Sequence, residues 1–178
     1  MYRFSSALAA CLLLSVPALA AAAPMPPEVR GHIEDMKKEC RQSGGSPAEP
    51  ADSFLIIADL NGDGRTDWAI DEAGFNCDGA TSTFKGSGGS QIYIFAGITG
   101  NRTRQAFMHG AYGMRLEGTA GHARLWLTVG GELCGQTGSF SRAEAISCER
   151  PLVWNTLTKQ FEFAPLATVK LLKQVPAK

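Results

Sequence analysis

Residues 54–72 read FLIIADLNGDGRTDWAIDE, and the acidic segment DLNGDGRTD (residues 59–67) stands between two short apolar runs. Short runs rich in Ile, Phe and Trp, bounded by Asn, Asp and Gly, are typical of β-strands. The segment therefore predicts two strands joined by a loop. That loop is either an acidic hairpin turn or a cage for a cation.

The spacing of the polar side chains favours the cage. If residue 59 is counted as position 1, oxygen-bearing side chains fall at positions 1, 3, 5 and 9, namely Asp59, Asn61, Asp63 and Asp67. Arg65 at position 7 could add its backbone carbonyl, and Gly64 stands where the chain must turn sharply. Calcium takes six to eight oxygen ligands, so alternate oxygen side chains on a wrapped loop suit it.

The motif resembles the D-x-N-G-D-G-x-x-D calcium loops of FG-GAP and VCBS-type repeats and, in helical surroundings, of dockerins. The resemblance implies side-chain ligands at residues 59, 61, 63 and 67 and a backbone ligand at residue 65. The motif occurs once, whereas those repeats build propellers from several copies. The chain also looks like small exported proteins of Gram-negative bacteria, a group that implies no activity.

Position 12 of the loop is Ile70, where an EF-hand has a bidentate glutamate. We therefore expect weak calcium binding, with a Kd of about 10⁻⁴ to 10⁻³ M, which suits a structural ion. Asp71 and Glu72, just beyond the loop, are candidate supplementary or outer ligands.

An ordinary hairpin turn explains part of the loop. Asn-Gly and Asp-Gly pairs are common in turns because Asn, Asp and Gly tolerate positive φ. This explanation leaves Asp59 and Asp67 without a role, and only Arg65 could offset their charge. The pattern therefore indicates calcium.

The amino terminus predicts export. Arg3 precedes an apolar run over residues 7–19, and Ala18-Leu19-Ala20 provides the small-x-small pattern of a signal peptidase site. We expect a signal peptide over residues 1–20 and one domain over residues 21–178, in the periplasm or secreted. A lipoprotein signal ending at Cys11 is the alternative. No other segment is long and apolar enough for a transmembrane helix.

Removal of Cys11 leaves four cysteines, an even number that favours disulfides in an oxidising compartment. Sequence alone allows three connectivities. We favour Cys134–Cys148 and Cys40–Cys77. Zinc is disfavoured because the chain has no Cys-x-x-Cys pair and its histidines lie far from the cysteines in sequence.

Periodicity predicts the fold class. Apolar residues at helical spacing predict one amino-terminal helix over residues 28–41, with the stripe Val29, Ile33, Met36 and Cys40. Short apolar runs predict strands over residues 54–58, 68–70, 91–96, 104–108, 114–117, 123–129, 152–154 and 161–163. We expect an α+β fold, a mainly antiparallel sandwich or barrel-like sheet with one helix packed on it. Four strand aromatics are expected in the core: Trp126, Trp154, Phe161 and Phe163.

Other chemistry is sparse. The chain has 17 basic and 17 acidic residues, so it has no basic field for nucleic acid. The glycine-rich stretch over residues 85–90 lacks the Gly-Lys-Ser/Thr end of a phosphate loop, and no nucleophile elbow surrounds any serine. His109 and His122 are not matched to a nucleophile. The sequence predicts a calcium-binding domain without catalytic activity that binds a protein or envelope component, with a hydrolase as the alternative.

Overall fold

The computed structural model describes residues 24–119 and 123–172. The predicted helix is present as α1 (Pro27–Gln42). It begins with a proline, whose missing N–H costs nothing in a first turn, and with Glu28, whose charge suits the helix dipole. It ends where the Ser43 N–H bonds the Glu39 carbonyl and Gly44 takes a left-handed φ of 81°.

Eleven strands lie in the described ranges: β1 (Ser46–Pro47), β2 (Leu55–Ala58), β3 (Asp67–Asp71), β4 (Cys77–Asp78), β5 (Ser90–Ile98), β6 (Arg102–Ala111), β7 (Gly113–Glu117), β8 (Arg124–Gly130), β9 (Ser147–Asn155), β10 (Gln160–Phe163) and β11 (Lys170–Leu171). The eight predicted runs correspond to β2, β3 and β5 to β10. The two-residue strands β1, β4 and β11 were not predicted, because two residues are too few to show a period.

The strands form two main sheets, and the described strand pairs are antiparallel. The first sheet has the order β2-β3-β5-β6, and the second has the order β10-β9-β8-β7 with β11 added to β9. Strands β1 and β4 form a separate small pair. Only Tyr112 separates β6 from β7, and its N–H bonds the Thr128 carbonyl. The chain therefore passes directly from one sheet into the other.

The two sheets share one hydrophobic core. The first sheet contributes residues such as Ala69, Ile92 and Ile94, and the second contributes residues such as Leu125, Leu127 and Leu152. The opposite face of the first sheet packs against α1 through a second cluster that includes Val29, Met36, Trp68, Ile70 and Phe95. The resulting layers are helix, sheet and sheet. The predicted mainly antiparallel fold with one helix is confirmed.

Both predicted disulfides are present. Cys40, in the last turn of α1, bonds Cys77 in β4, and Cys134 bonds Cys148 in β9. The first bridge attaches the helix to the chain that follows β3. The second closes a loop inside the second sheet. The covalent links thus lie at two separate places in the fold.

Trp126 is buried, but on the outer face of the second sheet rather than between the sheets. Leu125 and Leu127 point into the core, so the intervening indole points outward. Lys170 lies 3.9 Å and Arg115 5.1 Å from its ring centroid. These two cations cover the indole, which explains how an outward-facing tryptophan is only 6% exposed.

The predicted signal peptide over residues 1–20, the alternative acylation site at Cys11, and His122 lie outside the described residues. None of the helices in the described ranges is long and apolar enough to cross a membrane.

Candidate metal centre

The acidic loop connects β2 to β3 at one end of the sandwich. The strands pair in register from Leu55 opposite Ile70 to Ala58 opposite Asp67, so the loop leaves and re-enters the sheet at adjacent positions. Leu60 is 9% exposed and belongs to the core between the sheets. This leucine anchors the loop against the open end of the sandwich.

Two glycines allow the loop to turn. Gly62 and Gly64 have φ values of 77° and 81°, in the left-handed region that residues with a Cβ avoid. A Cβ at either position would meet no atom within 4 Å. The requirement for glycine here is therefore conformational rather than steric.

Loop side chains accept hydrogen bonds from the loop backbone. The Asp59 carboxylate accepts from the N–H of Gly62 at 2.8 Å and from that of Gly64 at 2.9 Å. Two residues further on, the Asn61 Oδ1 accepts from the N–H of Asp63 at 2.9 Å. The Asp63 Oδ1 accepts from the Arg65 N–H at 2.9 Å. These bonds are the local turns that Asx side chains favour, and they fix the three side chains relative to the loop backbone.

Asp67 closes the loop from below. Its carboxylate is 0% exposed and accepts two backbone N–H groups at 2.8 Å, from Leu60 within the loop and from Gly97 on β5. Burial raises the pKa of this carboxyl to about 6. The two N–H groups act against that shift, whereas the nearby Asp63 and Asp59 carboxylates add to it. The loop thus encloses a carboxylate that burial discourages from ionising.

Countercharge at the loop is limited. The Arg65 Nη1 lies 3.0 Å from the Asp63 Oδ2, and the Arg65 side chain is 51% exposed. Among the described residues, no cationic side chain lies within 4.0 Å of the Asp59 or Asp67 carboxylate. An exposed ion pair stabilises a protein by only about 0–1 kcal/mol. Arg65 therefore offsets little of the repulsion among the three carboxylates.

The donor set fits a hard cation such as calcium. It comprises three carboxylates, the Asn61 amide and the Arg65 carbonyl, all oxygen donors in one short loop. The Asn61 Nδ2 is buried without a hydrogen-bond partner, so this amide is enclosed. Within the described residues, however, no three His, Cys, Asp or Glu side chains form a cluster that could hold a metal. Calcium coordination by this loop stays a prediction.

Gly97 is a part of the site that the sequence reasoning missed. A Cβ at residue 97 would lie 2.5 Å from the Thr66 carbonyl oxygen. Only glycine lets β5 approach the loop closely enough for its N–H to reach Asp67. A glycine inside a strand is a recognised sign of close backbone approach, so the signal was present in the run QIYIFAGI.

The structure does not place Asp71 or Glu72 at the loop. Asp71 lies at the far end of β3 from Asp67, about 13 Å away at the rise of an extended strand. Its Oδ1 accepts from the Ser90 Oγ at 2.6 Å and from the Ala73 N–H at 2.9 Å. Glu72 lies 3.5 Å from the His32 Nε2. The expectation that these acids supplement the calcium ligands is wrong for this arrangement.

The two histidines in the described ranges are not set up as catalytic bases. His109 is exposed, and its Nδ1 lies 2.8 Å from the Gly110 carbonyl. His32 lies beside Tyr93 with its Nε2 buried and without a hydrogen-bond partner. The sequence analysis missed the His32–Glu72 pair because its members come from the helix and from the end of β3. No described hydroxyl or thiol forms a hydrogen bond with either ring.

Two clefts flank the loop. One, of about 460 Å³, lies toward β7 and β8 and includes Glu117, Arg124 and Trp126. The other, of about 600 Å³, lies toward the β5–β6 and β9–β10 turns and includes Asp63, Arg65, Arg104 and Lys159. Trp154 contributes to the walls of both. Each cleft has one acidic side chain among its described lining residues, so neither presents a pair of carboxylates for hydrolysis.

Comparison of the chain with known protein families, with curated proteins and with solved structures found no match.

Proposed function

We propose that this chain is an exported, disulfide-stabilised domain whose acidic loop binds calcium and whose loop-bearing end binds another molecule without catalysis. The observation that carries the calcium proposal is Asp67. Its carboxylate is fully buried beneath two further carboxylates and has backbone N–H partners but no cationic side chain nearby. A buried carboxylate of this kind gains most from a bound cation.

Five residues would hold the ion: Asp59, Asn61, Asp63 and Asp67 through side-chain oxygens, and Arg65 through its carbonyl. When bound, calcium supplies positive charge that offsets the crowded carboxylates. Each Asx side chain accepts a loop N–H through one oxygen, and each oxygen has a second lone pair that can bind a cation. The Leu60 side chain then transmits the ordering of the loop to the core.

Export is supported by two features of different kinds. The first twenty residues have the composition of a signal peptide. Both cysteine pairs form disulfides, which persist in the periplasm and outside the cell. The proposed location is therefore periplasmic or secreted, with lipoprotein anchoring through Cys11 as the alternative.

Binding without catalysis is favoured over hydrolysis by the clefts beside the loop. Neither cleft contains a carboxylate pair, and the His32–Glu72 pair lies outside both. Loops carried by a rigid sandwich commonly bind ligands. A hydrolase is the alternative, and His32–Glu72 is the only pair in the described residues that joins a histidine to a carboxylate.

Thermal unfolding of the purified, chelator-treated protein tests the calcium proposal. At a free calcium concentration of about 100 times the Kd, binding should stabilise the fold by about 2.7 kcal/mol. For a chain of this size that corresponds to a rise in Tm of roughly 5–10 °C. Magnesium should raise the Tm less, because it requires compact octahedral geometry and releases water reluctantly. An unchanged Tm in millimolar calcium would overturn the proposal.

The proposal of a binding partner is tested separately. The protein is immobilised and incubated with an envelope extract, once with calcium and once with chelator. We expect a component that is retained in calcium and released by chelator. Equal retention in both conditions would show that the ion does not control the binding surface.

A further inference from the structure

Three hairpin turns surround the larger cleft beside the acidic loop, which we call the basic cleft. Its walls are the acidic loop with Asp63 and Arg65, the β5–β6 turn with Thr99, and the β9–β10 turn with Lys159. Arg104 on β6 and Trp154 on β9 line it between these turns. Its volume of about 600 Å³ lies within the usual range for small-molecule sites.

The charges of the basic cleft are unbalanced. Arg65 is paired with Asp63, the one acidic side chain that lines the cleft. Arg104 and Lys159 have no carboxylate within 4.0 Å among the residues that the structure describes. Two cations therefore face the cleft without an internal partner, in a chain whose net charge is zero.

These two cations are held in place by specific contacts. The Arg104 Nη2 donates a hydrogen bond to the Lys159 carbonyl, and its guanidinium carbon lies 5.8 Å from the Trp154 ring centroid. Lys159 has a φ of 56°, and it is the one non-glycine residue with positive φ in the described ranges. A left-handed lysine costs the fold about 1–2 kcal/mol relative to an extended or helical conformation. Backbone strain of this kind tends to occur at functional positions.

The remaining surface of the cleft is polar around one aromatic ring. Trp154 is half-buried, with its ring centroid 4.9 Å from that of Phe161, and the indole lines the clefts on both sides of the acidic loop. Thr99 and Thr156 add hydroxyl groups. An aromatic acid would need apolar surface on several sides. A sugar ring needs one flat apolar surface and several hydrogen-bonding groups, which is the composition of this cleft.

We propose that the basic cleft binds an acidic saccharide, with the sugar carboxylate between Arg104 and Lys159 and the ring against Trp154. The proposal rests on the function proposed above, because it names the ligand class of that same loop-bearing end. It requires only residues of this chain. Calcium would stabilise one wall of the cleft by ordering the acidic loop.

Calorimetric titration of the disulfide-bonded protein with digalacturonate tests this inference, with the neutral galactose dimer and inorganic phosphate as comparison probes. We expect digalacturonate to bind with a Kd of about 0.1–10 mM, a range typical of a single small polar ligand, and to weaken as salt rises. The neutral dimer should bind at least tenfold more weakly. Equal binding of the neutral dimer, or displacement of the uronate by phosphate at equal concentration, would overturn the proposal.

Matched variants locate the site. Arg104→Gln and Lys159→Asn should each weaken digalacturonate binding about tenfold, the effect expected on loss of a charge-assisted contact worth about 1.4 kcal/mol. Asparagine tolerates the left-handed conformation, so Lys159→Asn removes the charge while keeping the turn. Arg124→Gln, in the other cleft, should bind like the parent. Binding unchanged in both cleft variants would contradict the assignment.

The titrations are run at fixed calcium and repeated in chelator, with the Tm measured in each. A calcium-dependent Tm without uronate binding would refute this inference alone. Uronate binding without any calcium-dependent Tm would refute the calcium proposal and leave the cleft assignment supported.

Discussion

Asp67 and Asp71 lie on the same strand and the same face of the first sheet, and both are nearly inaccessible to solvent, at 0% and 5% exposure. Their surroundings differ. Asp71 accepts a hydroxyl from Ser90 and an N–H from the turn that follows, beside the end of the fold that the Cys40–Cys77 bridge covers. Asp67 accepts only backbone N–H groups and lies near two more carboxylates.

The difference shows two ways of accommodating a buried acid. At the Asp71 end, neutral hydrogen-bond donors and a covalent link complete the structure with the groups of the chain itself. At the Asp67 end, the chain gathers negative charge and supplies one exposed arginine against it. The first arrangement is self-sufficient, whereas the second is completed by a cation under our proposal. The predictions below perturb one end at a time.

The largest effect is expected at the covalent end. Replacing both Cys40 and Cys77 by serine removes a bridge with a sequence separation of 37. The chain-entropy estimate for a loop of that size is about 4 kcal/mol of lost stability. Denaturant unfolding should show this loss with and without calcium. The calcium-dependent rise in Tm should persist, and its disappearance would mean that the two ends are not independent.

The next effect is expected in the loop. Asp63→Ala removes a proposed ligand and should abolish the calcium-dependent stabilisation, about 2.7 kcal/mol at 100 times the Kd. Asp78→Ala is the control, because Asp78 is an exposed acid on β4, outside the motif. It should respond to calcium like the parent. If Asp63→Ala and the parent respond alike, the acidic loop is not the calcium site.

Local pattern predicted most of the fold. The eight predicted strands and the helix follow from apolar periodicity, and the disulfide pairing was chosen correctly among three connectivities. The facing of β8 did not follow, because Leu125, Trp126 and Leu127 are all apolar and alternation cannot show which face is buried. The covering of Trp126 by Arg115 and Lys170 depends on strands distant in sequence.

The candidate site was predicted only as far as the motif extends. The loop residues and their left-handed glycines follow from nine consecutive residues. The Gly97 N–H, the anchoring of Leu60 and the convergence of three turns around the basic cleft depend on how the sheets pair. Sequence spacing also suggested that Asp71 and Glu72 lie near the loop, whereas an extended strand carries them to its other end.

A smaller effect is expected from pH. Because the pKa of Asp67 is raised to about 6, protonation favours the folded state, and this contribution is lost as pH rises through that value. In chelator, the parent should lose about 1 kcal/mol of stability between pH 5 and pH 7 relative to Asp67→Asn, which cannot ionise there. Saturating calcium should remove this difference in the parent.

Asp71→Asn is the matched control for that measurement. It replaces the other buried acid of β3 and disturbs the bonds to Ser90 and Ala73. It should lower stability in chelator while leaving the calcium response intact. If Asp71→Asn removed the calcium response as Asp67→Asn does, the contrast between the two ends of β3 would be wrong.

The smallest effect is expected from Asn61→Asp, which sharpens the comparison by making the charged end more dependent on a cation. The Asn61 Nδ2 is buried without a hydrogen-bond partner, a condition that costs about 1–3 kcal/mol, and the change replaces this group by an oxygen. A fourth carboxylate in the loop also adds repulsion. In chelator the two effects oppose each other, so stability should change by less than about 1 kcal/mol. In calcium the new oxygen is a better ligand, and affinity measured by calorimetric titration should rise about three- to tenfold, or about 0.7–1.4 kcal/mol. Weaker calcium binding by this variant would show that residue 61 is not a ligand, and the loop would then have to hold its carboxylates without the cation that we propose.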